Sequence, residues 1–160
     1  MKSSRHTAAL AAALACAMLL AFSAAQAKEP LEGTWLLNRA ESAFRQTPGP
    51  RGQMRTYSIA NGVETMDSRG IGADGKTTVV HYDARYDGKD YDIVGSAGGN
   101  KIALRRIDAL TTESIQKRDG KPAITATRRV SRDGSTLTVE TKGTLPDGQV
   151  IDATMVFVRK

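Results

Sequence analysis

The stretch TTVVHYDARYDGKDYDIV, Thr77 to Val94, decides the fold. Thr78, Val80, Tyr82, Ala84 and Tyr86 fall on one face, and Val79, His81, Asp83 and Arg85 on the other. Alternation with period two predicts a strand with one buried and one wet face. Asp87-Gly88 then supplies residues that tolerate the positive φ angles of a tight hairpin turn, and Tyr91 to Val94 reads as the returning strand.

The same punctuation recurs along the chain at Asn61-Gly62, Asp74-Gly75, Asp119-Gly120, Asp133-Gly134 and Asp147-Gly148, with further breaks at SAGGN (residues 96–100) and Asp108-Ala109. Strands are therefore expected over 31–37, 54–60, 63–69, 77–86, 91–94, 101–107, 111–117, 124–130, 135–142 and 150–159. Short connections favour an up-and-down antiparallel arrangement over a Greek key, and closing it into a barrel removes its exposed edges. The expected fold is an all-β, antiparallel up-and-down β-barrel of about 8–10 short strands. One short N-terminal helix is also expected at NRAESAF, where Asn38 can cap and Glu41 stands three residues later.

Residues 1–27 have the form of an export signal: Lys2 and Arg5, an apolar run from Thr7 to Phe22, then Ala25-Gln26-Ala27. Cleavage there leaves residues 28–160 as one domain in the periplasm or outside the cell. Cys16, the single cysteine, falls within the leader, so the mature domain is expected to hold together without disulfides. The 23 lysines and arginines exceed the 17 acids, giving a net charge of +6, but they form no basic block. That distribution speaks for solubility and against a nucleic-acid surface.

The tryptophan of the chain, Trp35, lies in LEGTWLLNRAESAF, residues 31–44. Gly33-Thr34-Trp35 on the first strand, the expected short helix after it, and a train of hairpins ending on a strand with Arg159 resemble the lipocalin or calycin group. The stretches GTWLLNRAESAF, RTYSIANG, ARYDGKDY, ALRRID and RRVSRDGSTLTV resemble, more closely, small secreted bacterial lipocalin-like proteins of largely unassigned function. The resemblance implies that Gly33, Trp35 and Arg159 close one barrel end, with the basic side chain over the indole. The chain departs from ordinary lipocalins in lacking a disulfide and in having more and shorter strands, as in ten-stranded fatty-acid carriers. Trp35 is then either a plug or part of a ligand site.

Several strand faces are lined by small residues, so the lumen either keeps a cavity or flattens onto a filled core. Arg55 shares a face with Tyr57 and Ile59, Arg106 with Ile102 and Leu104, and Arg128 with Ile124 and Ala126. An arginine inside a barrel needs an anionic partner, whereas one near a strand end reaches the rim. The candidate ligand residues are Trp35, Tyr57, Tyr82, Tyr86, Arg106 and Arg128, with a small hydrophobic or anionic amphipathic molecule as ligand.

Catalytic and metal chemistry find little footing. His81 is the sole histidine after the leader and shares a face with Asp83 and Arg85. No Gly-x-Ser-x-Gly elbow and no calcium-loop spacing occurs, so no metal, cofactor or catalytic residue is expected. A membrane-spanning barrel needs a lipid-facing apolar band, but the faces read as outward carry Glu64, Asp83, Arg85, Glu140, Lys142 and Asp152. The leading expectation is an exported, non-enzymatic binding protein. Its rival is a module with a filled barrel whose surface meets a protein or envelope polymer. A small hydrolase or isomerase is the weakest third.

Overall fold

The computed structural model describes residues 28–160; the expected leader lies outside the described residues. Ten strands follow in order: β1 (Gly33–Phe44), β2 (Gly52–Ala60), β3 (Val63–Ile71), β4 (Thr77–Arg85), β5 (Tyr91–Val94), β6 (Lys101–Arg106), β7 (Thr111–Arg118), β8 (Lys121–Val130), β9 (Thr136–Thr144) and β10 (Val150–Arg159). Each pairs antiparallel with its neighbour in sequence, and β1 closes the barrel on β10 through pairs such as Trp35 with Arg159. The turns follow the sequence chemistry. Asn61 and Asp119 adopt φ of 52° and 50°, and the glycines after them also lie at positive φ.

The short β5 makes the thinnest part of the wall. It meets β4 only at His81–Val94 and Tyr82–Ile93, and β6 only at Tyr91–Ile102 and Asp92–Lys101. A single bridge between Asp87 and Arg105 supplements this edge.

The expected helix at NRAESAF does not form. Residues 33–44 are one strand, whose register against β10 slips between Asn38 and Ala43. The Asn38 side chain does accept a hydrogen bond from the Glu41 amide, and Ser42 Oγ donates to the Asn38 carbonyl. The capping chemistry is thus used to shape an enlarged bulge. Ser42 Oγ also accepts from the Val156 amide, which ties the bulge to β10 and leaves no room for a helical turn.

The core is concentrated at the end where β1 begins. Trp35, Leu104, Leu137 and Phe157 are fully buried there, with Leu31 and Val130 beside them. The indole Nε1 donates to the Leu31 carbonyl at 2.9 Å, so the ring's polar atom is satisfied. Arg159 lies over the indole, its guanidinium carbon 4.1 Å from the ring centroid. It donates from Nε to Gly134 O, and from its terminal nitrogens to Pro30 O and Glu32 O.

Gly33 explains the Gly-x-Trp spacing in physical terms. Its φ is 130°, and a Cβ there would stand 2.6 Å from Arg159 Nη1. A side chain at this position would adopt a backbone conformation rare for L-residues and crowd Arg159 Nη1, the nitrogen that donates to the Glu32 carbonyl.

Candidate functional site: a lumen with two arginines

From the plugged end the barrel interior runs toward the opposite mouth, and its polar floor is built from four side chains. Period-two alternation on β3 turns Glu64, Met66 and Ser68 inward, and on β4 does the same for Val80, Tyr82 and Ala84. Glu64 is therefore fully buried, which corrects its assignment to an outward face. Arg128, on β8 across the lumen, is 3% exposed and donates from Nη1 to Glu64 Oε1 at 2.5 Å. The same nitrogen donates to the Tyr82 hydroxyl at 2.8 Å, and that hydroxyl donates to Glu64 Oε1 at 2.5 Å. Tyr86, just beyond β4, donates its hydroxyl to Glu64 Oε2.

These contacts decide the protonation states. Burial pushes the Glu64 carboxyl upward, but the charge and hydrogen bond of Arg128, with the two phenols, outweigh it and hold the group below its ordinary value. Burial pulls Arg128 down, and the adjacent Glu64 charge more than reverses this. Burial, reinforced by the Glu64 charge, raises both Tyr82 and Tyr86, so both phenols stay protonated and act as donors. At neutral pH the floor is an ion pair held by two phenols.

Above the floor lies a cavity of about 400 Å³. Its apolar lining includes Met66, Val80, Ile102, Ile124, Val139 and Met155, and its polar lining includes Gln53, Ser68, Ser114 and Gln116. Arg55 and Arg128 are its charged lining residues, and no carboxylate joins them. Arg55 stacks on Phe157 with its guanidinium carbon 4.8 Å from the ring centroid, and Arg128 lies 5.5 Å from that of Tyr57.

Hydrogen bonding in this lumen is incomplete. Arg128 uses Nη1 alone; its Nε and Nη2 are buried and have no partner. Those two nitrogens form the side-on edge of the guanidinium, the geometry that receives a carboxylate through two parallel hydrogen bonds. Arg55 Nε and Gln53 Oε1 are likewise buried without a partner.

The structure sorts the sequence candidates. Tyr57, Tyr82 and Arg128 line the cavity. Trp35 does not, because it is sealed in the closed end beneath Arg159. Tyr86 and Arg106 border an outer cleft with Glu29, Glu32, Arg85 and Asp87. There Arg106 pairs with Glu29 at 3.1 Å and stacks on Tyr86 at 4.4 Å. The cleft, about 710 Å³, is the larger hollow, but it lies on the surface and its arginines are interleaved with carboxylates. The lumen is the better candidate because its lining is made largely of buried and half-buried side chains and carries uncompensated donors.

Sequence reasoning missed Gln53, Ser68 and Glu64 as lumen residues. The signal for Glu64 was its parity with Met66 in VETMDSRG, combined with the need of a buried Arg128 for an anion. His81 stands on the outer face between Asp67 and Asp83, at 3.0 and 3.3 Å; hydrogen bonding to Asp67 is the main cause that raises its pKa. No group of three histidine, cysteine or acidic side chains suited to a metal occurs among the described residues.

No family model matches the sequence, and no curated protein matches it. Among solved structures the chain is similar to zebrafish ileal bile acid-binding protein complexed with cholic acid, at 10% identity and a TM-score of 0.49, covering 82% of this chain and 99% of that one. It is also similar to the siderocalin Ex-FABP, which functions through dual ligand specificities, at 11% identity and a TM-score of 0.38, covering 82% of this chain and 74% of that one.

Proposed function

We propose that the mature protein is an exported binding protein that holds a small anionic amphipathic molecule in its barrel. The observation that carries this reading is the charge of the cavity wall: two arginines, no carboxylate, and on Arg128 an edge of two buried donors without acceptors. Leaving a buried donor unpaired costs about 1–3 kcal/mol, and a ligand carboxylate or similar anion would recover that energy. Glu64 neutralises Arg128 from below, so Arg55 leaves the lumen with one uncompensated positive charge, which suits a monoanion.

The apolar wall of Ile102, Ile124, Val139 and Met155 would take the body of the ligand. A cavity of this size falls in the range of small-molecule sites, roughly 300–1,000 Å³. The basic, apolar and small-residue pattern of residues 1–27 supports action in the cell envelope.

Native mass spectrometry of the protein purified from its own envelope tests the reading. A stoichiometric acidic compound released on denaturation supports it. A bare mass, with no acid taken up when one is supplied, overturns it in favour of a surface-binding module.

A further inference from the structure

The unpartnered groups of the lumen are not confined to the floor. Gln53, Arg55 and Tyr57 alternate inward along β2, so the lumen wall carries an amide, a guanidinium and a phenol in a line. Arg128 stacks on Tyr57 at the deep end. Gln53 stands four residues nearer the mouth, roughly 13 Å along the strand. Its Nε2 donates to Ser68 Oγ at 3.0 Å, and Ser68 is the register partner of Arg55. Gln53 Oε1 and Arg55 Nε, both buried, keep unused hydrogen-bonding capacity.

An unfunctionalised acyl chain lying along this wall would bury the Gln53 amide against methylene groups and leave it unsatisfied. Buried polar groups of this kind discriminate strongly between ligands that can and cannot pair with them. We infer that the ligand is an amphipathic acid that also carries a hydroxyl part-way along its body, recognised by Gln53. A hydroxyl is both donor and acceptor, so it completes the amide whichever way the oxygen and nitrogen are turned against Ser68. The inference rests on the anionic-ligand reading above and narrows it to hydroxylated acids.

Three probes separate the two claims: hexadecanoate, its mid-chain hydroxylated form and its α-hydroxylated form, titrated calorimetrically into the delipidated mature protein. The mid-chain hydroxy acid is expected to bind at least about fivefold tighter than hexadecanoate, the worth of one net hydrogen bond. The α-hydroxy acid is expected to match hexadecanoate, because its hydroxyl lies beside the carboxylate and far from Gln53. Gln53→Met should abolish the mid-chain preference by letting hexadecanoate bind as tightly as the hydroxy acid or tighter, since its chain no longer buries an unpaired amide, and circular dichroism with urea denaturation shows that the variant is folded. Equal binding of all three acids overturns the inference and leaves the anionic-ligand reading standing. No binding of any of them removes both.

Discussion

Arg128 and Glu64 are 64 residues apart in sequence, 3% and 0% exposed, and joined by a hydrogen bond of 2.5 Å across the barrel interior. In a pair so deeply buried each charge depends on the other for its compensation. Removing one partner strands the other. Glu64→Ala is expected to lower unfolding stability by about 3–5 kcal/mol, read from urea denaturation. The paired replacement Glu64→Leu with Arg128→Leu should cost far less than either single change. Additive costs would show that the two groups are not energetically coupled.

The pH dependence of stability follows from the same four side chains. Glu64 is held below its ordinary value of 4.5, so its contribution is fully present above that pH and lost as pH falls through the lower folded value. Tyr82 and Tyr86 are raised above 10.0, so the unfolded chain ionises first and stability falls as pH rises past 10. Urea midpoints measured across pH should form a plateau between these limits. The acid limb should flatten when Glu64→Leu and Arg128→Leu are combined, since the buried carboxyl is then gone, although exposed carboxylates still contribute modestly.

Arg159 is the strap of the closed end, bonded to three carbonyls and stacked on Trp35. Arg159→Ala is expected to destabilise the barrel by about 2–4 kcal/mol, from lost charge-assisted hydrogen bonds and the cation–π contact. Arg159→Lys should recover less than half of this, since a single ammonium cannot span three acceptors. Trp35 fluorescence during unfolding reports the outcome. Full recovery by lysine would show that charge alone matters.

Gly95 ends β5 at the thin part of the wall with φ of 76°, and a Cβ there would stand 1.9 Å from the Val79 carbonyl oxygen. Gly95→Ala combines a disfavoured backbone conformation with a backbone clash and is expected to cost at least about 1–2 kcal/mol. Hydrogen exchange should show the loss first at the Ile93 and Val94 amides. A neutral effect would mean that this edge adjusts freely.

Strand number and order were legible because Asn-Gly and Asp-Gly pairs mark hairpins almost wherever they occur here, and because Thr77 to Tyr86 alternates cleanly. NRAESAF misled for a local reason: Asn38 makes its capping-type hydrogen bond in a bulge as readily as it would at a helix start. Glu64 was hidden for a different reason. A glutamate on a strand reads as solvent-facing until the arginine that holds it is known to lie inward, and that partner sits five strands away. Face parity grouped Arg128 with Ile124 and Ala126 and Tyr82 with Val80, but it left open whether an arginine turns inward or reaches the rim; Arg128 lines the lumen, whereas Tyr86 and Arg106 border the outer cleft.

The most direct test of the central claim is calorimetric titration of hexadecanoate into the native protein and into the variant carrying both Glu64→Leu and Arg128→Leu. The floor is removed there without stranding a charge. Loss of the guanidinium's paired donors should weaken binding by at least about tenfold while the barrel remains folded by circular dichroism. Undiminished affinity in the folded double variant would contradict an anion site at Arg128.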